Sequence, residues 1–363
     1  MDQWACLIFS RAGLAVADRL LLWLKVREKA APGKCSLSLY LPVALWQRMG
    51  APADIIPMKG LHPCVEKLWT EAQALIFIGA TGIAVRAIAP FLRHKSIDPP
   101  VIVIDPSGHN VISLISGHWG GANNIARSIA RSIGANAIIT TASDSCPLAP
   151  ALDLLLQEQG LRPVDWDRLA SIQACLMEQG NPLQIFDPYR CLPGHPLLER
   201  RTSLALDKTS PYVAIHWKQQ EHGPSILRVA MPIVHIGIGF RKDVSADELE
   251  MAYLSLLRLY NIEPLAIFAL ASIEAKAAAL PLQALAKRHK LPVDAWEADK
   301  LAGVKTPNPS SACARRFGTQ AFSVSEAAAI LSANRHGKAI LWRPKIVING
   351  RITFAVALDI RTG

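Results

Sequence analysis

The run Ser116-Gly117-His118-Trp119-Gly120-Gly121-Ala122-Asn123-Asn124 is the densest chemical segment of the chain. A histidine among glycines has few neighbours that could bury it, and imidazole titrates near neutrality, which suits general acid–base work. The flexible backbone of Gly120 and Gly121 could direct N–H groups at an oxyanion. Ser116, Gly117 and Asn123 complete a polar turn able to bind a ligand. The competing reading makes His118 a turn or cap residue, with Trp119 packed beside it.

Two further turns carry polar residues at the ends of apolar runs. Gly79-Ala-Thr81-Gly82 follows Ile76-Phe-Ile and precedes Arg86. Glycines three apart at a helix start free N–H groups for an anion, with Arg86 nearby. The plain alternative is a tight turn with Thr81 as N-cap. Thr140-Thr141-Ala142-Ser143-Asp144 follows a short strand and brings a carboxylate, Asp144, that could orient His118 or act as a second base. Toward the C-terminus, Gly237-Ile-Gly239-Phe-Arg241 and Lys305-Thr-Pro-Asn308-Pro-Ser310 place small or polar residues beside cations, as an anion site would.

These turns need a scaffold, and the apolar pattern supplies one. Strand-like runs at Trp4–Ser10, Ala74–Ile78, Val101–Ile104, Val111–Ile115 and Ala137–Thr140 alternate with helical periodicity at Ala12–Lys25, from Ile83, and at Ala122–Ile133. Such alternation predicts an open, mostly parallel α/β sheet over residues 1–150. In that architecture ligands sit beyond the carboxyl ends of the strands, so the three N-terminal turns should gather at one sheet edge. Prolines crowd residues 151–230, which read as a small irregular middle module. Alternation resumes over 231–363, with a helix at Ser245–Leu259, a strand at Leu265–Ala269, and a hairpin joining Ile346–Ile348 to Ile352–Leu358 through Asn349-Gly350. The predicted fold class is therefore α/β: two open α/β domains flanking a middle module.

Composition narrows the function classes. The 363-residue chain is 51% hydrophobic and 19% charged, ample for buried cores and unlike a disordered polymer. No apolar run reaches the ~20 residues of a membrane helix, and Met-Asp-Gln-Trp lacks the basic flank of a signal peptide. Seven dispersed cysteines without a CxxC pair read as reduced thiols in a cytoplasm. His62, His94 and His109 lack metal-ligand spacing, so no metal site is expected. Neither a Walker lysine motif nor a G-x-S-x-G elbow is present. The formal charge of +10 is spread along the chain, which disfavours nucleic acid or a membrane and favours a polyanionic small molecule.

The order and spacing of several segments resemble the CbiG family of cobalamin biosynthesis. GATGIAVRAIAP (79–90), Lys95 with Asp98-Pro99, VIVIDPSGHNVISLISGHWGGANNIA (101–126) and ITTASD (139–144) are similar to its N-terminal signature. GIGFRK (237–242), LASIEAKAAAL (270–280), KTPNPS (305–310) and FGTQAFSVSEAAAIL (317–331) resemble its C-terminal signature, which the CobE proteins share. Phe240 and Asp243 depart from the family's GCRRG, and Leu358 stands where a basic residue is usual.

The resemblance implies a hydrolase that opens the ring A δ-lactone of cobalt-precorrin-5A and releases acetaldehyde, giving cobalt-precorrin-5B. It implies no added cofactor, since cobalt arrives with the substrate, and transient contacts with neighbouring pathway enzymes. His118 and Asp144 are the expected catalytic pair. Substrate-binding residues are expected at Gly79, Thr81, Gly82, Arg86, Lys95, Ser116, Gly117, Gly120, Gly121, Asn123, Thr140, Thr141, Gly237, Gly239, Arg241, Asn308 and Ser310. The alternative is a non-catalytic carrier of corrinoid intermediates.

Overall fold

The computed structural model describes residues 2–30, 35–141, 151–178, 182–201, 211–220, 223 and 225–360. The chain divides into two compact units, Met1–Leu154 and Leu155–Gly363. No helix among the described residues is long and apolar enough to cross a membrane.

The first unit holds a seven-stranded sheet. Its strands are β1 (Asp2–Ile8), β2 (Cys35–Pro42), β3 (Ile55–Met58), β4 (Ala74–Ile78), β5 (Val101–Ile104), β6 (Asn110–Ile115) and β7 (Asn136–Ile138), in the order β3-β2-β1-β4-β5-β6-β7. β4 and β5 are continuous apolar runs with every residue buried, as strands covered on both faces must be. One face packs against helices Arg11–Ala30 and Ala122–Ile133, through Val16, Leu20, Ala126 and Ile129. The other packs against helices Leu61–Glu71 and Thr81–Ile88, through Val65, Leu68, Ala84 and Ile88.

One pairing changes the geometry of the turns. β5 and β6 are antiparallel, with Val101 opposite Ile115 and Ile104 opposite Val111, and β7 runs parallel to β6. The short β5–β6 connection, Asp105 to His109, is a hairpin rather than a helical crossover. Asp105 caps it by accepting N–H groups of Ser107 and Asn110. The chain therefore leaves β6 and β7 at the end of the sheet where β4 and β5 begin.

The second unit contains two five-stranded sheets. The first comprises β8 (Arg162–Pro163), β9 (Leu183–Phe186), β10 (Leu198–Arg201), β11 (Tyr212–His216) and β12 (Ile226–Ala230), in the order β10-β9-β11-β12-β8. All its pairings are parallel except β12 with β8. This stretch is more regular than its proline density suggests, because the prolines fall between strands or, as Pro163 does, on the edge strand. The second sheet comprises β13 (Val234–Phe240), β14 (Ile267–Ile273), β15 (Val293–Trp296), β16 (Lys338–Ile348) and β17 (Ile352–Ile360), in the order β15-β14-β13-β17-β16. The β16–β17 turn has Asn349 at φ 52° and Gly350 at φ 64°, the left-handed pair that matches strand twist. Helix Ala246–Tyr260 starts with a reciprocal cap in which Ser245 Oγ accepts the Glu248 N–H and the Glu248 carboxylate accepts the Ser245 N–H.

Candidate functional site

The loop after β6 folds around glycines that could not be replaced cheaply. Ser116 adopts φ 57° and its Oγ donates to the Asp98 carbonyl at 2.9 Å. A Cβ on Gly120 would lie 2.5 Å from Ser116 Cβ, and one on Gly117 would lie 2.7 Å from Asn123 Oδ1. Gly121, at φ 84°, is the N-cap of helix Ala122–Ile133. The loop carbonyls take up the first N–H groups: Ala122 donates to Ser116, Asn123 to Gly117, and Gly121 to His118. This corrects one expectation. The Gly121 N–H is spent inside the turn and cannot face an oxyanion, whereas the Gly120 N–H has no acceptor among the described residues.

This turn aims His118 at a carboxylate. Nδ1 of His118 lies 3.0 Å from both Oδ1 and Oδ2 of Asp153. Asp153 occupies the first turn of helix Leu152–Glu158. The two side chains are 10% and 19% exposed, respectively. Burial alone would raise the Asp153 carboxyl. The hydrogen bond and charge of His118, the Leu154 N–H and the charge of Lys95 outweigh it and hold the group below the ordinary carboxylate range. Lys95, on the exposed connection leading to β5, thus belongs to the same electrostatic neighbourhood. Thr141 joins the cluster by accepting the Nδ2 of buried Asn123 at 3.0 Å, while Thr140 next to it is exposed.

Asp153 was not among the expected residues. The only signal in the sequence is a lone carboxylate opening an otherwise aliphatic run, Leu152-Asp-Leu-Leu-Leu156. Asp144, the expected partner, lies outside the described residues.

The first turn stands apart. Gly79 follows the C-terminal end of β4 and donates to the Ile104 carbonyl, so Gly79, Thr81 and Gly82 sit at the opposite end of the sheet from His118. The β5–β6 hairpin separates them by a strand length, roughly 13 Å. Helix Thr81–Ile88 is capped by Ala80 rather than Thr81. Arg86 is exposed and donates to the Gly82 carbonyl within its own helix at 3.3 Å.

In the second unit, Gly239, Arg241 and Ser310 line one cavity of about 300 Å³. Gly237 does not take part. A Cβ there would lie 1.8 Å from the Ser325 carbonyl oxygen, so its absence lets helix Val324–Asn334 press onto β13. Asn308 is likewise structural, since its N–H and side-chain amide both donate to the buried Glu326 carboxylate. Among the described residues, no group of three or more His, Cys, Asp or Glu side chains could hold a metal ion.

Comparison with known proteins covers both halves. The family model described as cobalamin synthesis G N-terminal matches residues 63–144, and cobalamin synthesis G C-terminus matches residues 234–357. The chain is 33% identical over 275 residues to the cobalt-precorrin-5A hydrolase of Salmonella typhimurium, covering 71% of this chain and 75% of that protein. It is 28% identical over 306 residues to the cobalt-precorrin-5A hydrolase of Priestia megaterium, covering 80% of each. The crystal structure of CobE, a protein of the cobalamin pathway, aligns with 36% of this chain and 93% of its own at 29% identity, with a TM-score of 0.33. On the family matches and the Salmonella relative, the chain belongs to the cobalamin synthesis G (CbiG) family.

Proposed function

We propose that His118, held by Asp153, is the general base with which this cobalt-precorrin-5A hydrolase activates water. The observation that carries the reading is the 3.0 Å approach of both Asp153 oxygens to His118 Nδ1. A carboxylate at that nitrogen fixes its proton there and leaves the Nε2 lone pair as the base, the logic of an aspartate-oriented histidine in acyl transfer. Water deprotonated by Nε2 attacks the carbonyl of the ring A δ-lactone. The acyl–oxygen bond breaks, leaving a carboxylate on the ring and a hydroxyl on the former bridging carbon. Loss of that carbon with its methyl group as acetaldehyde then breaks a carbon–carbon bond: the hydroxyl proton passes to base, its oxygen becomes the aldehyde carbonyl, and the electron pair of the broken bond remains with the cobalt corrinoid. The Gly120 N–H is the available donor for the lactone oxyanion, and Lys95 is the nearby cation for a substrate carboxylate. The reaction needs no added cofactor, because cobalt comes with the substrate.

The supporting experiment is incubation of the purified chain with cobalt-precorrin-5A. One acetaldehyde per corrinoid consumed is expected, with cobalt-precorrin-5B as product. Tight binding of the corrinoid without acetaldehyde would replace the hydrolase by a carrier.

A further inference from the structure

The cavity of the second unit carries an unusual charge distribution. Among the residues lining it are five basic side chains (Arg241, Lys276, Arg316, Lys345 and Arg351) and no acidic one. Arg351 is paired with acids that do not line the cavity, at 2.8 Å from Asp243 and 3.1 Å from Glu248. For Arg241, Lys276, Arg316 and Lys345, no ion-pair partner lies among the described residues. Lys276 stands with Nζ 4.6 Å from the centre of the Phe240 ring. Its pKa is lowered by burial and by the charges of Arg316 and Lys242, against a smaller opposing pull from Asp243. Like charges crowded in this way repel one another, and a bound anion would relieve the repulsion.

Two neutral features point the same way. The N-terminus of the 11-residue helix Val324–Asn334 meets the cavity through Ser323, Val324 and Ser325, and Ser323 makes no side-chain cap. Its dipole favours negative charge, and Glu326 in the same first turn is taken up by Asn308 and the Lys345 N–H. Ser325 is 1% exposed, and its Oγ has no hydrogen-bond partner among the described residues. A buried hydroxyl left unpaired is unfavourable unless something polar joins it. Ile273, Phe240 and Phe317 also line the cavity, so its occupant needs an aliphatic part as well as a charge. At about 300 Å³ the cavity is too small for a corrin ring but takes a short carboxylated arm.

We infer that this cavity binds a carboxylate-tipped acetate or propionate arm of the corrinoid, and so anchors the substrate without taking part in the chemistry. The inference rests on the corrinoid reading of the function, yet it is testable without turnover. The probe is cobyrinic acid, whose arms are free carboxylates, with cobinamide, whose arms are amides, as the control. Calorimetric titration of the full chain should show cobyrinic acid binding more tightly than cobinamide. The double variant Lys276→Met, Arg316→Met keeps the aliphatic stems on Phe240 and Phe317, and should weaken cobyrinic acid by about tenfold or more while leaving cobinamide unchanged. Thermal melting of the variant serves as the folding control. Should that variant misfold, Ser325→Ala provides the second test and should weaken cobyrinic acid severalfold. With cobalt-precorrin-5A the double variant should raise KM and leave kcat within about twofold. Unchanged cobyrinic acid affinity in the folded double variant, or equal affinity for both probes, overturns the inference even if acetaldehyde release is normal. Normal binding by wild type without acetaldehyde would instead remove the hydrolase reading and leave the cavity assignment standing.

Discussion

Asp153 presents both carboxylate oxygens to Nδ1 of His118 at 3.0 Å, from a helix that begins 34 residues after that histidine. Because the carboxyl is held below the ordinary range, the pair keeps its negative member through neutral and mildly acidic pH. The arrangement requires the β5–β6 hairpin, which turns the Ser116–Gly121 loop to the end of the sheet where Lys95, Asp98 and Thr141 lie.

Asp153→Asn should reduce kcat for acetaldehyde release by ~10²-fold or more, because the amide neither fixes the imidazole tautomer nor stabilises the imidazolium. Stability should change with pH as well. A carboxyl lowered in the folded chain adds stability that is complete above the unfolded value of 3.8 and is lost as pH falls through the folded one. Urea midpoints should therefore fall less in the variant as pH is lowered through 3.8 and below. Full activity of Asp153→Asn beside an inactive Asp144→Asn would transfer the partner role to Asp144.

Lys95→Ala and Arg86→Ala separate the two ends of the sheet. Lys95 acts on Asp153, whereas Arg86 hydrogen-bonds within its own helix beside Gly82. Steady-state kinetics should show KM rising severalfold for Lys95→Ala and staying within about twofold for Arg86→Ala. An equal effect of both would place the ligand at the other sheet end too.

Much of this was legible in the sequence. Unbroken apolar runs at Ala74–Ile78 and Val101–Ile104 could only be buried strands, and the helix Ala122–Ile133 was set by its apolar stripe and closing Gly134. Strand direction was marked only by the length of one connection. The chain from β5 to β6 is too short for a crossover helix, so the hairpin was implicit in the spacing, but Ser107-Gly108 is a less distinctive turn than Asn349-Gly350. Treating every turn as one sheet edge therefore joined Gly79–Gly82 to His118. Asp153 was hidden because an acid in the first turn of an apolar helix is also what a helix dipole favours. Gly237 looked like a ligand-loop glycine because close helix packing leaves the same mark in a sequence.

His216 gives the second unit a titration of its own. Burial, aided by the charge of Lys218, pushes its imidazole down to about 4, and Nδ1 accepts the Lys218 N–H at 2.9 Å. The unfolded chain takes up that proton near pH 6.5 while the folded chain refuses it until about pH 4. Stability should thus be complete above pH 6.5 and decline as pH falls across that window. His216→Phe should shallow this decline in denaturant titrations, whatever it does to absolute stability.

Gly237→Ala should destabilise the second unit by ~3 kcal/mol or more, because the new Cβ would meet the Ser325 carbonyl and the Ala329 nitrogen, both backbone. Gly239→Ala meets first the Thr353 hydroxyl, a side chain able to rotate, and should be milder. Equal melting temperatures for both variants would contradict the packing role of Gly237.

The most direct test is single-turnover acetaldehyde release from cobalt-precorrin-5A by His118→Ala beside wild type. Removal of the base should slow release by ~10²–10⁴-fold, with corrinoid affinity close to wild type and a lower melting temperature, because Asp153 loses its partner. Release at a near-normal rate in a folded His118→Ala protein would contradict the account, because no base would then be acting from the Ser116–Gly121 loop.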